Sequence, residues 1–142
     1  MELVSFSHAK GQLVYHLEWC PKYRYRLFRK PENAALCEEA VIESAKRHGI
    51  EIVEISVMPE HIHVAAHIPP DMAVSRAMQI LKGGSSYILF RLKPNLRKRY
   101  PRGHLWSRGK FYRTVGDVDL STTIRYIQEQ KLHQTTLTQF PS

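Results

Sequence analysis

Two histidines stand two residues apart within Met58-Pro59-Glu60-His61-Ile62-His63-Val64. In a β-strand side chains alternate with a period of two, so His61 and His63 leave one face. Their Cα atoms then lie roughly 6.6 Å apart, close enough for both imidazoles to reach one metal ion. Ile62, Val64, Ala66 and Ile68 take the opposite face and read as core. His67 shares the histidine face but lies roughly 13 Å beyond His63, too far for a shared ion. An H-x-H pair is a short pattern that equally describes two strand histidines on a wet face, so the rest of the chain has to decide.

A second chemical element is Ile124-Arg125-Tyr126-Ile127-Gln128-Glu129-Gln130. At helical spacing Tyr126 and Gln130 are an i,i+4 pair, while Ile124, Ile127 and Lys131 sit elsewhere around the helix. A tyrosine hydroxyl can attack a DNA phosphodiester in line, leaving a 5′-phosphotyrosine and a free 3′-OH. That attack needs a cation on a non-bridging phosphate oxygen. Two histidines under-fill a divalent site, and Gln130 is placed to add an oxygen when its helix docks on the sheet. A phenol has a pKa near about 10, so a metal or a water must help remove its proton; no residue stands out as a dedicated base. Gly116 is a natural hinge for this helix. A helical tyrosine taken alone is more often packing than nucleophile, and the histidine pair and the basic surface are what give it weight.

The charge balance points the same way. The 142 residues carry 21 Lys+Arg against 13 Asp+Glu, a net charge of +8, which favours a polyanionic partner, nucleic acid or an anionic membrane. No apolar run approaches the roughly 20 residues of a membrane span. Met1 to Gln12 is polar and has no signal-peptide core, so a cytoplasmic protein without a membrane partner is expected. Cys20 and Cys37 are isolated, with no zinc-knuckle or disulfide spacing. From Lys22 to Lys30 five cations interleave with three aromatics, a mixture suited to phosphates and stacked bases and equally to a charge-guarded edge ribbon. Candidate DNA contacts are Lys22, Arg24, Arg26, Lys82, Arg97, Arg99, Arg108 and Lys110.

One domain over residues 1–142 must position these groups. Strands are expected at 13–20, 50–58 and 61–68, and a fourth strand or hairpin at 105–115. Pro31 opens a helix that Gly49 closes. A long helix follows Asp71 as its N-cap, interrupted at Gly83-Gly84. Two interior glycines cost a helix about 2 kcal/mol relative to alanine, and close helix–sheet packing is the expected compensation, ahead of an approaching nucleic acid. Residues 94–104 form a basic loop, and Asp117 or Asp119 caps a last helix running to about Gln134. The order is β-α-β-β-α-β plus a terminal helix: an α+β, ferredoxin-like antiparallel sheet with both helices on one face. Its first and third strands are central, and the histidines lie mid-sheet on the face left free.

The chain resembles the single-tyrosine HUH transposases of the insertion-sequence-200-like (IS200/IS605) group. The matching residues are Tyr15-His16-Leu17-x-Trp19-Cys20-Pro21-Lys22-Tyr23-Arg24, Met58-Pro59-Glu60-His61-Ile62-His63, Leu81-Lys82-Gly83-x-Ser85-Ser86, Leu105-Trp106-Ser107-Arg108-Gly109-x-Phe111, Thr114-Val115-Gly116 and Tyr126-Ile127-x-x-Gln130. Glu60 stands where the family often has Asp, and Lys110 and Tyr112 where an aromatic and a small residue are more usual. The resemblance implies His61 and His63 as metal ligands, Gln130 as the third and Tyr126 as nucleophile. It implies a transposase that cleaves and rejoins single-stranded DNA, recognises hairpins at transposon ends and needs Mg²⁺, or Mn²⁺ in its place, but no ATP. It also implies a homodimer in which Tyr126 can act in trans to the partner's histidines. The rival readings are a domesticated nickase acting on repeated palindromes and a non-catalytic single-stranded nucleic-acid-binding module. A zinc hydrolase would need a third His, paired Cys or H-E-x-x-H, and none is present.

Overall fold

Alternating apolar residues become four strands in the computed structural model, which describes residues 13–24 and 26–138. They are β1 (Leu13–Pro21), β2 (Glu51–Val57), β3 (Ile62–Ile68) and β4 (Trp106–Val115), all antiparallel in the order β2-β3-β1-β4. The helices are α1 (Pro31–Lys46), α2 (Val74–Leu92), the short α3 (Pro94–Arg97) and α4 (Asp117–Thr138). This is the expected ferredoxin-like α+β arrangement, with β1 and β3 central. The strand or hairpin expected at 105–115 is one long strand, Trp106–Val115, and α4 runs one turn past the expected end.

Leu17 and Trp19 of β1 and Ile62 and Val64 of β3 pack under α1 and α2, against Cys37, Val41, Met78, Leu81 and Leu89. Pro31 stands at the start of α1, and Gly49, at φ +72°, turns the chain out of it into β2. Ala73 precedes α2 with no side-chain cap, so Asp71 does not play the capping role expected of it. The helix runs unbroken through Gly83-Gly84, and its compensation is a neighbouring helix, not the sheet. A Cβ on Gly84 would stand 2.3 Å from Ser44 Oγ and 2.7 Å from Ser44 Cβ on α1. The glycine therefore lets the two helix backbones approach.

The face opposite α1 and α2 is not free. Val14, Val53, Ala65 and Val115 form a second, smaller core with Leu120 and Ile127 of α4. The alternation that puts histidines on this face also puts these apolar residues there, and they need cover. Arg113 donates to Thr123 Oγ1 (3.3 Å) and Gln128 to Glu54 (2.9 Å), tying α4 down at both edges of the sheet. Among the described residues no helix is long and apolar enough to cross a membrane.

Candidate active site

Cross-strand register builds the site. Glu18 on β1 stands opposite His63 on β3 and Phe111 on β4, and His16 stands opposite Ala65 and Arg113. Directly opposed residues in an antiparallel sheet point to the same side. Glu18, His63 and His16 therefore share the face that α4 covers. His63 Nδ1 lies 3.3 Å from His16 Nε2 and 3.5 Å from a Glu18 carboxylate oxygen. The other Glu18 oxygen is 3.9 Å from His16 Nε2. His61 sits at the rim just before β3, its ring centroid 4.8 Å from that of His63.

From above, α4 presents Tyr126. Its ring stands edge-on to His63 (centroids 5.6 Å) and to His16 (6.0 Å) of the same chain. The apolar stripe of α4 is Leu120, Ile124 and Ile127, so Tyr126 lies off it and is 43% exposed. Gln130, half-buried, is one turn further on. The two elements singled out by chemistry are thus adjacent within one copy of the chain. His67, by contrast, lies beside Glu51 (3.7 Å), away from this cluster.

His16 and Glu18 escaped sequence reading as site residues because only register brings β1 beside the histidine pair. The signal was there: in the β1 alternation both share a face with Val14. The donor set suits a divalent cation. It consists of His16, His63 and Glu18, whose ligand atoms all lie within 4.8 Å of one another; His61, at the rim, is not among them. Burial lowers the His63 pKa to about 4, with further lowering from His61 and His16, despite the nearby carboxylate. Burial, then Arg113, lowers that of His16. Both rings are neutral near pH 7 and keep a lone pair for a ligand. Burial raises the Glu18 pKa, partly offset by His61 and Arg113.

These shifts predict acid sensitivity of the metal-free protein. The folded pKa of His63 lies below its unfolded value, so protonation favours the unfolded chain. Its neutral form is no penalty above about pH 6.5, and stability falls as pH drops from there towards 4. The loss attributable to His63 is about 2 kcal/mol at pH 5. Urea unfolding in a chelator at pH 7 and pH 5 checks this: His63→Gln should remove about 2 kcal/mol of the difference.

The candidate DNA-contacting cations divide into groups. Lys82, Arg108 and Lys110 line one groove of about 830 Å³ between α2 and the start of β4, with Arg76, Tyr87 and Trp106. There Lys82 donates to Ser107 O (2.7 Å), and burial, then Lys110, lowers its pKa. Lys110 also borders a recess of about 410 Å³ beside the site, lined by Glu18, His61, Tyr23 and Phe111. Lys22 lies over the ring of Tyr23, which stacks on Tyr100 and holds a left-handed φ of 67°. Arg26 pairs with Glu60 (3.5 Å) and shares a smaller cleft with Arg99. Arg97 is used internally, donating to the Tyr100 carbonyl and covering the Phe90 ring. The Arg24 side chain lies outside the described residues.

Comparison with known proteins gives a consistent picture. Residues 9–130 match the family described as "Transposase IS200 like". The chain is 31% identical over 119 residues to the ISDra2 transposase TnpA of Deinococcus radiodurans, covering 84% of each protein. It is 32% identical over 112 residues to the transposase for insertion sequence element IS200 of Salmonella typhimurium, covering 79% of this chain and 73% of that one. A crystal structure assigned to a transposase of Deinococcus radiodurans R1 aligns with a TM-score of 0.66 at 28% identity, over 84% of this chain and 91% of the other. A REP-associated tyrosine transposase bound to a REP hairpin shares the fold, with a TM-score of 0.58 at 16% identity over 83% of this chain and 65% of that one.

Proposed function

Since the chain belongs to the IS200-like transposase family, we propose that it cleaves and rejoins single-stranded DNA at transposon ends through a 5′-phosphotyrosine on Tyr126. The observation that carries this reading is the edge-on contact of the Tyr126 ring with His63 and His16, on a face whose donors suit a divalent cation. In the proposed reaction the Tyr126 phenol loses its proton and attacks phosphorus in line. The P–O3′ bond breaks, the 3′-oxygen leaves and takes up a proton, and the 5′-phosphate stays on Tyr126. A second 3′-OH then attacks the phosphotyrosine and releases the phenol, so bond energy is conserved and no ATP is consumed. His61 and His63 would hold Mg²⁺ or Mn²⁺, with Gln130 as a further donor from α4. A cation held there would supply charge neutralisation at a phosphate oxygen and would ease deprotonation of the phenol. Burial beneath α4 keeps His63 neutral and in place.

The 830 Å³ groove, with its cations and the exposed Tyr87, is the surface proposed to take the hairpin. Arg76→Ala with Arg108→Ala should weaken hairpin binding at every sequence and lower the log–log salt slope by roughly 1.5. Fluorescence anisotropy over a salt series measures it. A homodimer fits the requirement for two cut ends. The edge strand β4, with half-exposed Phe111 on the α4 face and Tyr112 on the other, offers backbone unpaired among the described residues to a second copy.

The test is direct. Protein incubated with an end-labelled hairpin carrying a single-stranded flank and Mg²⁺ should give a labelled protein band that survives heat and detergent, and a chelator should prevent it. Rejoining of two labelled ends would identify a transposase, as opposed to a nickase. Cleavage without a protein-linked product would sink the reading.

A further inference from the structure

We propose that Glu18, with His16 beside it, supplies donors to the catalytic cation, so that the two central strands hold the ion without help from α4. This rests on the reading of the chain as a metal-dependent transposase. Two ligands about 2.1 Å from a metal and 90–110° apart are roughly 3.0–3.4 Å from each other. The separations here are 3.3 Å between His63 Nδ1 and His16 Nε2, 3.5 Å between His63 Nδ1 and a Glu18 oxygen, and 3.9 Å between His16 Nε2 and the other. The two Glu18 distances run to different oxygens of its carboxylate, and one ligand atom from each of the three residues lies within 4.8 Å of the others, so rotation of the carboxylate and a contraction of at most about 1.4 Å would close them on one ion. Two imidazoles and one carboxylate form a mixed nitrogen and oxygen set suited to a divalent metal such as Mn²⁺.

Backbone pairing, not side-chain chance, sets this triangle. Glu18 is paired with His63, and His16 follows two residues along the same strand, on the same face. The buried Nδ1 of His16 has no hydrogen-bond partner among the described residues, while its ring packs against Phe111 and Tyr126 and its Nε2 faces His63 and Glu18. Gln130 differs in kind: it rides on α4, beyond Gly116, together with Tyr126. A site completed by β1 keeps its ion when α4 lifts. The helix carrying the nucleophile can then move between strands of DNA without emptying the metal site.

Titration of Mn²⁺ into chelator-stripped, full-length protein without DNA, followed by calorimetry and by the electron-spin resonance of free Mn²⁺, tests this. Glu18→Gln should weaken Mn²⁺ binding at least tenfold, Glu18→Asp should restore part of it, and Gln130→Ala should change it by less than threefold. Folding of each variant is followed by circular dichroism. If Glu18→Gln does not fold, Glu18→Asp and His16→Gln against Gln130→Ala carry the comparison, with the β1 variants expected to be the weaker binders. Should Glu18→Gln bind within twofold of wild type while His63→Ala loses binding, the role of Glu18 is overturned and the proposed function stands. Larger losses in Gln130→Ala than in the β1 variants would overturn it likewise. If the wild type takes up no Mn²⁺, the metal-dependent reading itself falls, and this inference with it.

Discussion

Tyr126→Phe should lower formation of the covalent DNA adduct by at least about 10³-fold, some 4 kcal/mol of transition-state free energy, while hairpin affinity stays within twofold. Phenylalanine keeps the ring that stands against His63 and His16, so the cluster beneath it is undisturbed. Only the hydroxyl is removed, from a side chain that is 43% exposed and lies off the apolar stripe of α4. Stability should therefore shift by no more than about 0.5 kcal/mol. A nucleophile cannot be replaced by its neighbours without a new oxygen within reach of phosphorus, and water attack would leave a free 5′-phosphate, not a protein adduct. The assay reads adduct and free product separately. A variant that still forms the adduct would move the nucleophile elsewhere; one that loses hairpin binding as well would make Tyr126 a substrate contact.

The second large effect is on folding. Gly84→Val should destabilise the protein by several kcal/mol and Gly84→Ala by about 1–3, whereas Gly83→Ala should be neutral or stabilising by up to about 1 kcal/mol. Both glycines lie inside α2, and on helix propensity alone both changes should help. At Gly84 the new carbon would meet Ser44 Cβ at 2.7 Å, about 1 Å inside van der Waals contact. The Ser44 hydroxyl can rotate away from its bond to Ala40 O, but its Cβ is fixed to α1, so the helices must separate. Separation also disturbs the buried Ser85, which accepts a hydrogen bond from Trp106 Nε1. At Gly83 nothing lies within 4 Å of the added carbon. Denaturant unfolding of the three variants measures the contrast. Ser44→Gly should recover part of the loss in Gly84→Ala, a coupling that only direct contact gives.

Residue patterns alone were enough for the four strands, the three long helices and their order; the short helix α3, Pro94–Arg97, falls where a basic loop is expected. Alternation in β1, β2 and β3 and the apolar stripes of α1 and α2 are local, and Pro31 and Gly49 mark where a helix begins and ends. The pairing of Tyr126 with Gln130 follows from helix geometry, whereas the shared face of His61 and His63 was read from a strand that in the structure begins one residue later, at Ile62. Strand order was also legible, because β-α-β-β-α-β admits few topologies.

What chain order could not supply was the meeting of distant residues. Whether Glu18 faces His63 depends on the register of β1 against β3, and a slip of one residue would turn Glu18 and His16 into the core. That register is settled by burying Leu17, Trp19, Ile62 and Val64 together under two helices. The cover over the histidine face was likewise a tertiary outcome: Val14, Ala65 and Val115 are modest singly, and only side by side do they form a surface that draws α4 down. Two glycines of one type, adjacent in one helix, acquire opposite roles because α1 passes over one of them. Local spacing determined which groups this protein could use for chemistry; non-local packing, which brings Val14 of β1 to the same small core as Ile127 of α4, decided which of them stand together and how deeply they are buried.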